Sequence, residues 1–312
     1  RDQRVTARLL KKTGQFLLFL WAAGSLTFFL VRSVPGDPAL AILGRPHSEA
    51  VRHMQKALQL ERPLAAQYFH YLGRLAVLDF GNSWVDDRPV RNTILEYLPN
   101  TFLLAMAALA FTAGVALLLG IKSVYGKSRF WKALAAGFSA VGLAVPVFLL
   151  GIFLVLVFAV ELKLFPVSGS GGIRFLILPV VTLGMPLGAY LTRMVRAALQ
   201  AESQRPYVLL ARAKGLSEGQ IHRRHILKNA LLPVITLVGM QSGALLSGAI
   251  IVESVFSRPG IGTLLVTAVR QRDYPMVQGT VLLMASIYLA ANFLVDLAYP
   301  LLDPRIGHDP VR

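Results

Sequence analysis

The chain has 312 residues, of which 55% are hydrophobic and only 15% are charged, and its mean hydropathy is +0.58. This composition excludes an ordinary soluble domain, because too few polar residues remain to cover a water-facing surface. The absence of cysteine excludes disulfides, thiolate metal sites and thiol nucleophiles. A membrane protein is the first interpretation.

Six apolar runs contain no Asp, Glu, Lys or Arg. A bilayer-spanning helix needs roughly 20 such residues. The runs are residues 15–31, 100–121, 133–160, 175–192, 229–252 and 275–295. We therefore predict an all-α polytopic membrane protein with six transmembrane helices. The first run exceeds the apolar core of a secretory signal, which is about 7–15 residues, and lacks a clear cleavage site, so we expect it to remain uncleaved.

The net charge of +16 is unevenly placed between these runs. Five basic residues precede the first run, four lie between the second and third, and eight lie between the fourth and fifth, whereas residues 34–99 carry seven basic and seven acidic residues. Because basic short loops stay in the cytoplasm, both termini are predicted inside and residues 34–99 outside. Topology and anionic membrane lipid account for the charge, so no nucleic-acid partner is expected.

This topology divides the chain into four parts. Residues 1–33 hold the cytoplasmic N-terminus and first transmembrane helix, residues 34–99 a small external, periplasmic-side subdomain, residues 100–300 the transmembrane core with a cytoplasmic loop at 193–228, and residues 301–312 a cytoplasmic tail. Two helical patterns lie in the external part, near residues 49–60 and from Leu64 to Leu75. In the third run, Pro146 removes a backbone donor and should kink the helix.

The cytoplasmic loop contains the basic stretch "ARAKGLSEGQIHRRHILKNALLP", residues 211–233. Residues 205–214 read as a short helix, Gly215 suits a left-handed position that ends it, and Ser217 with Gln220 forms a capping box for a second helix. A DNA-binding helix-turn-helix is a weak interpretation, because both ends are tethered to membrane helices. A solvated loop explains the charges but not the caps, so docking of a protein is favoured.

This loop resembles the cytoplasmic "EAA" loop of the membrane-spanning subunits of ABC importers, in a form similar to that of the dipeptide, oligopeptide and nickel permease subfamily. The likeness extends over nearly the whole chain through "VPGDPA", "RPLAAQY", "LDFGNSW", "VESVFSRPGIG", "RDYPMVQG" and "DLAYPLLDPRI", in that order. Where the general family has Glu-Ala-Ala, this chain has Leu209, Leu210 and Ala211. That departure resembles the peptide and nickel branch.

The resemblance implies a type I ABC importer permease fold in the bacterial cytoplasmic (inner) membrane. The implied partners are a sister permease subunit in a heterodimer, two ABC ATPase subunits that carry ATP and Mg²⁺, and an extracytoplasmic solute-binding protein. A coupling helix that docks on an ATPase is implied for Ala211, Arg212, Ala213, Lys214, Gly215, Leu216 and Ser217.

We expect this chain to be no enzyme and to hold no cofactor or metal of its own. The tripeptide "GKS" at 126–128 lacks the glycine spacing and the preceding strand of a phosphate-binding loop. His222 and His225 lie three residues apart, but two histidines alone are poor evidence for a metal site.

A translocation path is predicted at Met185, Gln241, Ser242 and Ser247, although close helix packing explains the small residues there at least as well. A path without charged sites suits an importer of di- or oligopeptides whose cargo is chosen by another protein. Nickel or a metal chelate is the alternative cargo. A more remote alternative is a non-transporting membrane anchor or sensor that docks a cytoplasmic partner.

Overall fold

The computed structural model describes residues 2–33 and 62–302, without the side chains of residues 2–11, 232–233, 236, 240, 242, 244 and 294–302. The helices are α1 (Asp2–Ser33), α2 (Leu64–Ala76), α3 (Val90–Tyr125), α4 (Arg129–Ala144), α5 (Val147–Leu154), α6 (Arg174–Ser203), α7 (Pro206–Ala213), α8 (Glu218–Ile221), α9 (Leu227–Val255), α10 (Ile261–Gln271) and α11 (Tyr274–Leu302). A π-helical segment Val155–Glu161 extends α5, and another, His222–Ile226, joins α8 to α9.

The chain forms two compact units, and the first comprises Arg1–Thr101 and Pro259–Ala290. Its apolar core contains buried residues from α1, α3, α10 and α11, among them Val31, Val90 and Ile261. Thr101 fixes the start of α10, because its Oγ1 accepts a 2.8 Å hydrogen bond from the Ile261 N–H. Such a partner satisfies one of the free N–H groups at a helix N-terminus.

Aromatic side chains hold α2 against α1 in this unit. The Phe28 ring lies 5.3 Å from that of Tyr68 and 5.2 Å from that of Tyr71, measured between centroids. The hydroxyls of Tyr68 and Ser25 are 2.7 Å apart and share a hydrogen bond. Helix α2 confirms the pattern predicted from Leu64 to Leu75. The pattern at residues 49–60 and the motif "VPGDPA" lie outside the described residues.

The second unit comprises Phe102–Arg258 and Ala291–Arg312. Within it the third predicted span is interrupted, because the chain bends by 114° between α4 and Val147–Glu161, which is α5 with its π-helical extension. The break falls at Pro146, which caps α5 in an extended conformation. The predicted kink is therefore a full break in the helix. Helix α6, by contrast, continues through Pro179 and Pro186.

Glycines allow the helices of the second unit to approach closely. A Cβ atom on Gly184 of α6 would lie 2.7 Å from Phe111 Cδ1 of α3, and the Thr112 hydroxyl donates a 2.9 Å hydrogen bond to the Gly184 carbonyl. A Cβ on Gly120 of α3 would lie 2.5 Å from Val195 Cγ1 of α6. Small residues are typical of such contacts between membrane helices.

Four of the described helices contain a stretch long and apolar enough to cross a membrane: α1, α3, α6 and α11. The bent pair formed by α4 and the α5 segment makes a fifth if it counts as one span. The remaining predicted run, 229–252, lies within α9, where the described apolar stretch is Leu245–Val255. The prediction of an all-α membrane protein is confirmed.

Candidate functional site

Residues 206–226, called the docking segment below, include the predicted docking residues 211–217 and contain two helices joined by a turn. Gly215 has a φ of +79°, which an L side chain rarely adopts. Its N–H donates to the Arg212 carbonyl at 2.9 Å, and the Leu216 N–H donates to the Ala211 carbonyl at 3.3 Å. These two hydrogen bonds form a Schellman motif, which ends α7 at the predicted glycine.

Ser217 is the N-cap of helix α8, as predicted. The Ser217 N–H donates a 3.1 Å hydrogen bond to Oε1 of Gln220, so one free N–H group at this N-terminus is satisfied. The turn between the two helices therefore has hydrogen-bonded backbone on both sides of Leu216.

An ion pair fastens α7 to α8 across this turn. Arg212 donates from Nε to Glu218 Oε1 at 2.7 Å and from Nη2 to Oε2 at 3.2 Å. These hydrogen bonds raise the pKa of Arg212 and lower the pKa of Glu218 from their ordinary values. Two hydrogen bonds restrict the turn at Gly215 more than one would, because the planar guanidinium matches the geometry of the carboxylate. The sequence analysis missed this pair, although two opposite charges flanking Gly215 were the available signal.

One side of the segment is buried in the second unit. Val208 and Ile221 are fully buried, and Ala211 is 7% exposed. They belong to one apolar cluster with Val195 and Leu199 of α6 and with residues of α9. The docking segment therefore packs directly on two long apolar helices, α6 and α9.

A ring contact adds a third helix to this connection. The imidazole of His222 stacks on the ring of Tyr125 at the end of α3, with centroids 3.9 Å apart. Nε2 of His222 also lies 3.3 Å from Oε2 of Glu218. The ion pair across the turn is thus linked to α3 as well as to α6 and α9.

The opposite side of the segment is exposed and partly apolar. Leu209 and Leu210 are 64% and 57% exposed, and Leu216 is 37% exposed. Lys214, Gly215 and Ser217 are also exposed. Exposed leucines rimmed by polar residues are typical of a protein interaction surface. The two leucines that depart from the Glu-Ala-Ala pattern are therefore the most apolar part of this surface.

The predicted path residues lie on two helices, α6 and α9. Met185 is half-buried and packs against α4, since a Cβ on Gly142 would lie 3.3 Å from its Cγ. Gln241 is half-buried, Ser247 is exposed, and the side chain of Ser242 lies outside those described. Their role as a path stays a prediction.

Among residues 2–33 and 62–302, the structure has no group of three or more His, Cys, Asp or Glu that would hold a metal ion. His222 is engaged with Tyr125 and Glu218, as described above. His225 lies 6.5 Å from the ring of Tyr207, measured between centroids.

The comparison with protein families gives two matches that together cover most of the chain. Residues 114–308 match the family described as "Binding-protein-dependent transport system inner membrane component". Residues 6–105 match the family described as "Binding-prot-dependent transport system membrane comp, N-term".

Curated relatives share about a third of the sequence over their full length. A putative peptide transport system permease protein of Brucella abortus is 35% identical over 98% of this chain and 100% of its own length. A glutathione transport system permease protein of Pectobacterium atrosepticum is 38% identical over 91% of this chain and 93% of its own length. A di/tripeptide transport system permease protein of Pseudomonas aeruginosa is 34% identical over 96% and 98%, respectively.

Two solved structures resemble the chain in fold. An amino acid ABC transporter crystallised with histidines gives a TM-score of 0.53 at 18% identity, covering 69% of this chain and 94% of the other. An inward-facing methionine ABC transporter gives a TM-score of 0.56 at 16% identity, covering 69% and 98%. At these identities the likeness concerns the fold alone.

Proposed function

We propose, from the premise that the chain belongs to the family of binding-protein-dependent transport system inner membrane components, that it forms the translocation path of an ATP-driven importer of di- and oligopeptides. Its fold is that of a type I ABC importer permease. It is a transport subunit of the membrane, and the hydrolysis of ATP is assigned to separate subunits.

The peptide cargo is supported by the relatives described above. These relatives match nearly the whole chain, and they are named as permeases for peptides, glutathione and di- or tripeptides. Those names favour peptides over the alternative cargo, nickel or a metal chelate. Selection among peptides is assigned to an extracytoplasmic solute-binding protein, because the family is described as binding-protein-dependent.

The coupling role is assigned to Ala211–Ser217 and the residues beside them. The observation that supports it is the exposed apolar pair Leu209 and Leu210 beside a turn braced by Arg212 and Glu218. A segment that transmits a rigid-body motion must be stiff and must present a surface for its partner. The buried side of residues 206–226 packs on α6 and α9, so a displacement of this segment moves the membrane helices.

The complete transporter contains a sister permease in a heterodimer, two ABC ATPases that bind ATP and Mg²⁺, and the solute-binding protein. The chain crosses the bacterial inner membrane several times with both termini in the cytoplasm. In this arrangement the coupling segment faces the ATPases, and Met185, Gln241, Ser242 and Ser247 are assigned to the path.

The experiment is co-purification of the ATPases with the permease, followed by peptide-stimulated ATP hydrolysis in proteoliposomes. The double variant L209E/L210E should lose most of the bound ATPase while its thermal unfolding stays unchanged, because both side chains are exposed. The control is L78E, which alters a leucine 68% exposed outside the segment and should retain the ATPase. A chain that holds a cytoplasmic partner but moves no peptide would instead be a membrane anchor or sensor.

A further inference from the structure

A cavity of about 180 Å³ lies within the first unit. It is formed by the end of α1, by α2, by the loop after α2 and by the first turns of α11. Its lining includes Arg32, Gln67, Tyr71, Trp84, Gln278 and Gly279. A single buried water needs only about 10–15 Å³ of such space, so the cavity has room for a larger guest.

Two nitrogen donors that belong to residues of this lining have no partner among the described residues. They are Nη1 of Arg32 and Nε2 of Gln278, and both atoms are buried. Gln278 as a whole is only 8% exposed. Because a buried donor without an acceptor costs about 1–3 kcal/mol, such a pair indicates an acceptor that completes the site.

Arg32 is held rigidly in this position. Its Nε donates a 3.1 Å hydrogen bond to Oε1 of Gln67, and its guanidinium carbon lies 3.6 Å from the centroid of the Phe28 ring. Gln67 is itself fixed, because its Nε2 donates to the Arg62 carbonyl at 2.8 Å. Nη1 is therefore held with little freedom, which reduces the entropy lost when an acceptor binds.

The charges around the cavity favour an anion. The other arginine in the lining, Arg74, is paired with Asp79, with Nε 2.9 Å from Oδ2 and Nη2 3.1 Å from Oδ1. That pair cancels its own charge. Within the described part of the chain, Arg32 has no carboxylate partner, so a positive charge faces the cavity. A guanidinium with a neighbouring amide suits a carboxylate.

We propose that this cavity binds the C-terminal carboxylate of a cargo peptide, with Arg32 and Gln278 as its donors. This inference rests on the proposed function, which places the cavity on the external side where a peptide arrives. The ring of Trp84, whose centroid lies 5.0 Å from that of Tyr274, and the side chain of Phe80 supply apolar surface for the peptide's last residue. Recognition of the carboxylate does not depend on the other side chains of the peptide, as an importer of varied peptides requires.

The test uses the assembled transporter in phosphatidylcholine nanodiscs without its solute-binding protein. Tri-alanine and tri-alanine amide are titrated, and fluorescence is followed against a Trp84→Phe variant, since Trp84 lines the cavity. Tri-alanine should give a saturable change that the Trp84→Phe variant lacks. The amide should bind about tenfold more weakly or worse, because it lacks the charge that strengthens a hydrogen bond to Arg32.

Variants of the two donors separate recognition from folding. Arg32→Gln and Gln278→Leu should each weaken tri-alanine by about tenfold. Arg32→Gln should weaken the amide less, because the amide presents no charge to the guanidinium. If the leucine variant unfolds, Gln278→Glu replaces it and should weaken tri-alanine by repulsion. The matched control is Arg88→Gln, which removes an exposed arginine paired with Glu96 at 2.9 Å, away from the cavity.

Three results would overturn the proposal. Tri-alanine and its amide bind equally, or the donor variants bind like the unaltered chain, or neither peptide binds and the cavity holds only water. A signal produced by added phosphatidylglycerol but not by peptide would assign the site to a lipid headgroup and also refute it. Peptide transport by the same preparation, supplied with ATP and binding protein, tests the proposed function separately. Transport without carboxylate-dependent binding would reject the proposed binding site alone. Binding without transport would reject the proposed importer function alone.

Discussion

The hydroxyl of Ser83 donates a 2.5 Å hydrogen bond to Oδ2 of Asp273, which lies 190 residues further along the chain. Asp273 is 3% exposed, and its Oδ1 also accepts from the N–H groups of Trp84 at 3.2 Å and Met276 at 3.3 Å. One carboxylate thus joins the loop after α2 to the first turn of α11. The motifs "LDFGNSW" and "RDYPMVQG" therefore meet at a structural contact within the first unit.

Asp273→Ala should destabilise the chain by about 2–4 kcal/mol, because it leaves three donors without their acceptor in a buried place. Thermal unfolding in detergent would show this as a lower midpoint. The matched control is Asp86→Ala, which removes an exposed carboxylate that accepts from the Arg88 N–H at 3.2 Å. Equal midpoints for the two variants would contradict the role of Asp273.

Gly215→Val should uncouple transport from ATP hydrolysis without preventing membrane insertion. No atom lies within 4 Å of a Cβ built on Gly215, so the cost comes from its φ of +79° and not from a collision. A left-handed conformation costs an ordinary L-residue about 1–2 kcal/mol, and more for a β-branched one.

Two matched changes check that explanation for Gly215. Gly215→Asn should retain most of the transport, because asparagine tolerates the left-handed region. Gly219→Ala, on the neighbouring helix and also without a nearby atom, should be neutral. The measurement is peptide uptake per ATP hydrolysed in proteoliposomes. Normal coupling by the valine variant would show that the turn is not needed.

Replacing either Arg212 or Glu218 alone should impair the coupling of transport to ATP hydrolysis, and exchanging the two residues should restore it. Glu218→Gln weakens the brace across the turn, so uptake per ATP should fall while folding is retained, since both side chains are about half exposed. The exchanged pair R212E/E218R should restore much of the coupling. Failure of the exchange, with both single variants impaired, would indicate that each residue contacts the ATPase independently.

The same pair predicts a direction of pH dependence. Hydrogen bonding from Arg212 lowers the pKa of Glu218 below its ordinary value of 4.5. A group with a lowered pKa stabilises the folded state above its ordinary pKa, and this contribution is lost as the pH falls through the lowered value. A carbon NMR titration should place the Glu218 midpoint below 4.5, and Arg212→Gln should return it towards that value. A midpoint unaffected by Arg212→Gln would mean that the pair is absent in solution.

The local part of the site was predictable because its signals are local. Gly215, Ser217 and Gln220 each determine backbone geometry within one or two turns of their own position, and the structure has the turn at the predicted place. The brace between Arg212 and Glu218 was missed, because an i, i+6 contact forms only after the turn has brought two helices together. Pro146 was recognised, but whether a proline bends or breaks a helix depends on the helices packed around it.

Contacts across long stretches of sequence were not predictable from the residues. The bond from Ser83 to Asp273 and the cavity beside Arg32 both depend on the three-dimensional meeting of segments about 200 residues apart, and no periodicity encodes that meeting. Gly248, next to the predicted path residue Ser247, shows the same limit, because packing between helices is not visible in the sequence. A Cβ on it would lie 2.9 Å from Leu183 Cδ1, so this small residue serves helix packing.

Gly120 and Val195 provide a direct test of the close approach between α3 and α6. Gly120→Ala should destabilise the chain by about 1–3 kcal/mol, because the added methyl group would lie 2.5 Å from Val195 Cγ1. Val195→Ala in the same chain should recover part of that loss, although alone it leaves a small cavity. Unfolding midpoints of the two single variants and the double variant form a double-mutant cycle, and Gly137→Ala, where a Cβ meets no atom within 4 Å, is the control. Strictly additive losses would show that the two helices do not touch at this point, whereas a favourable interaction energy in the double variant places their contact at Gly120.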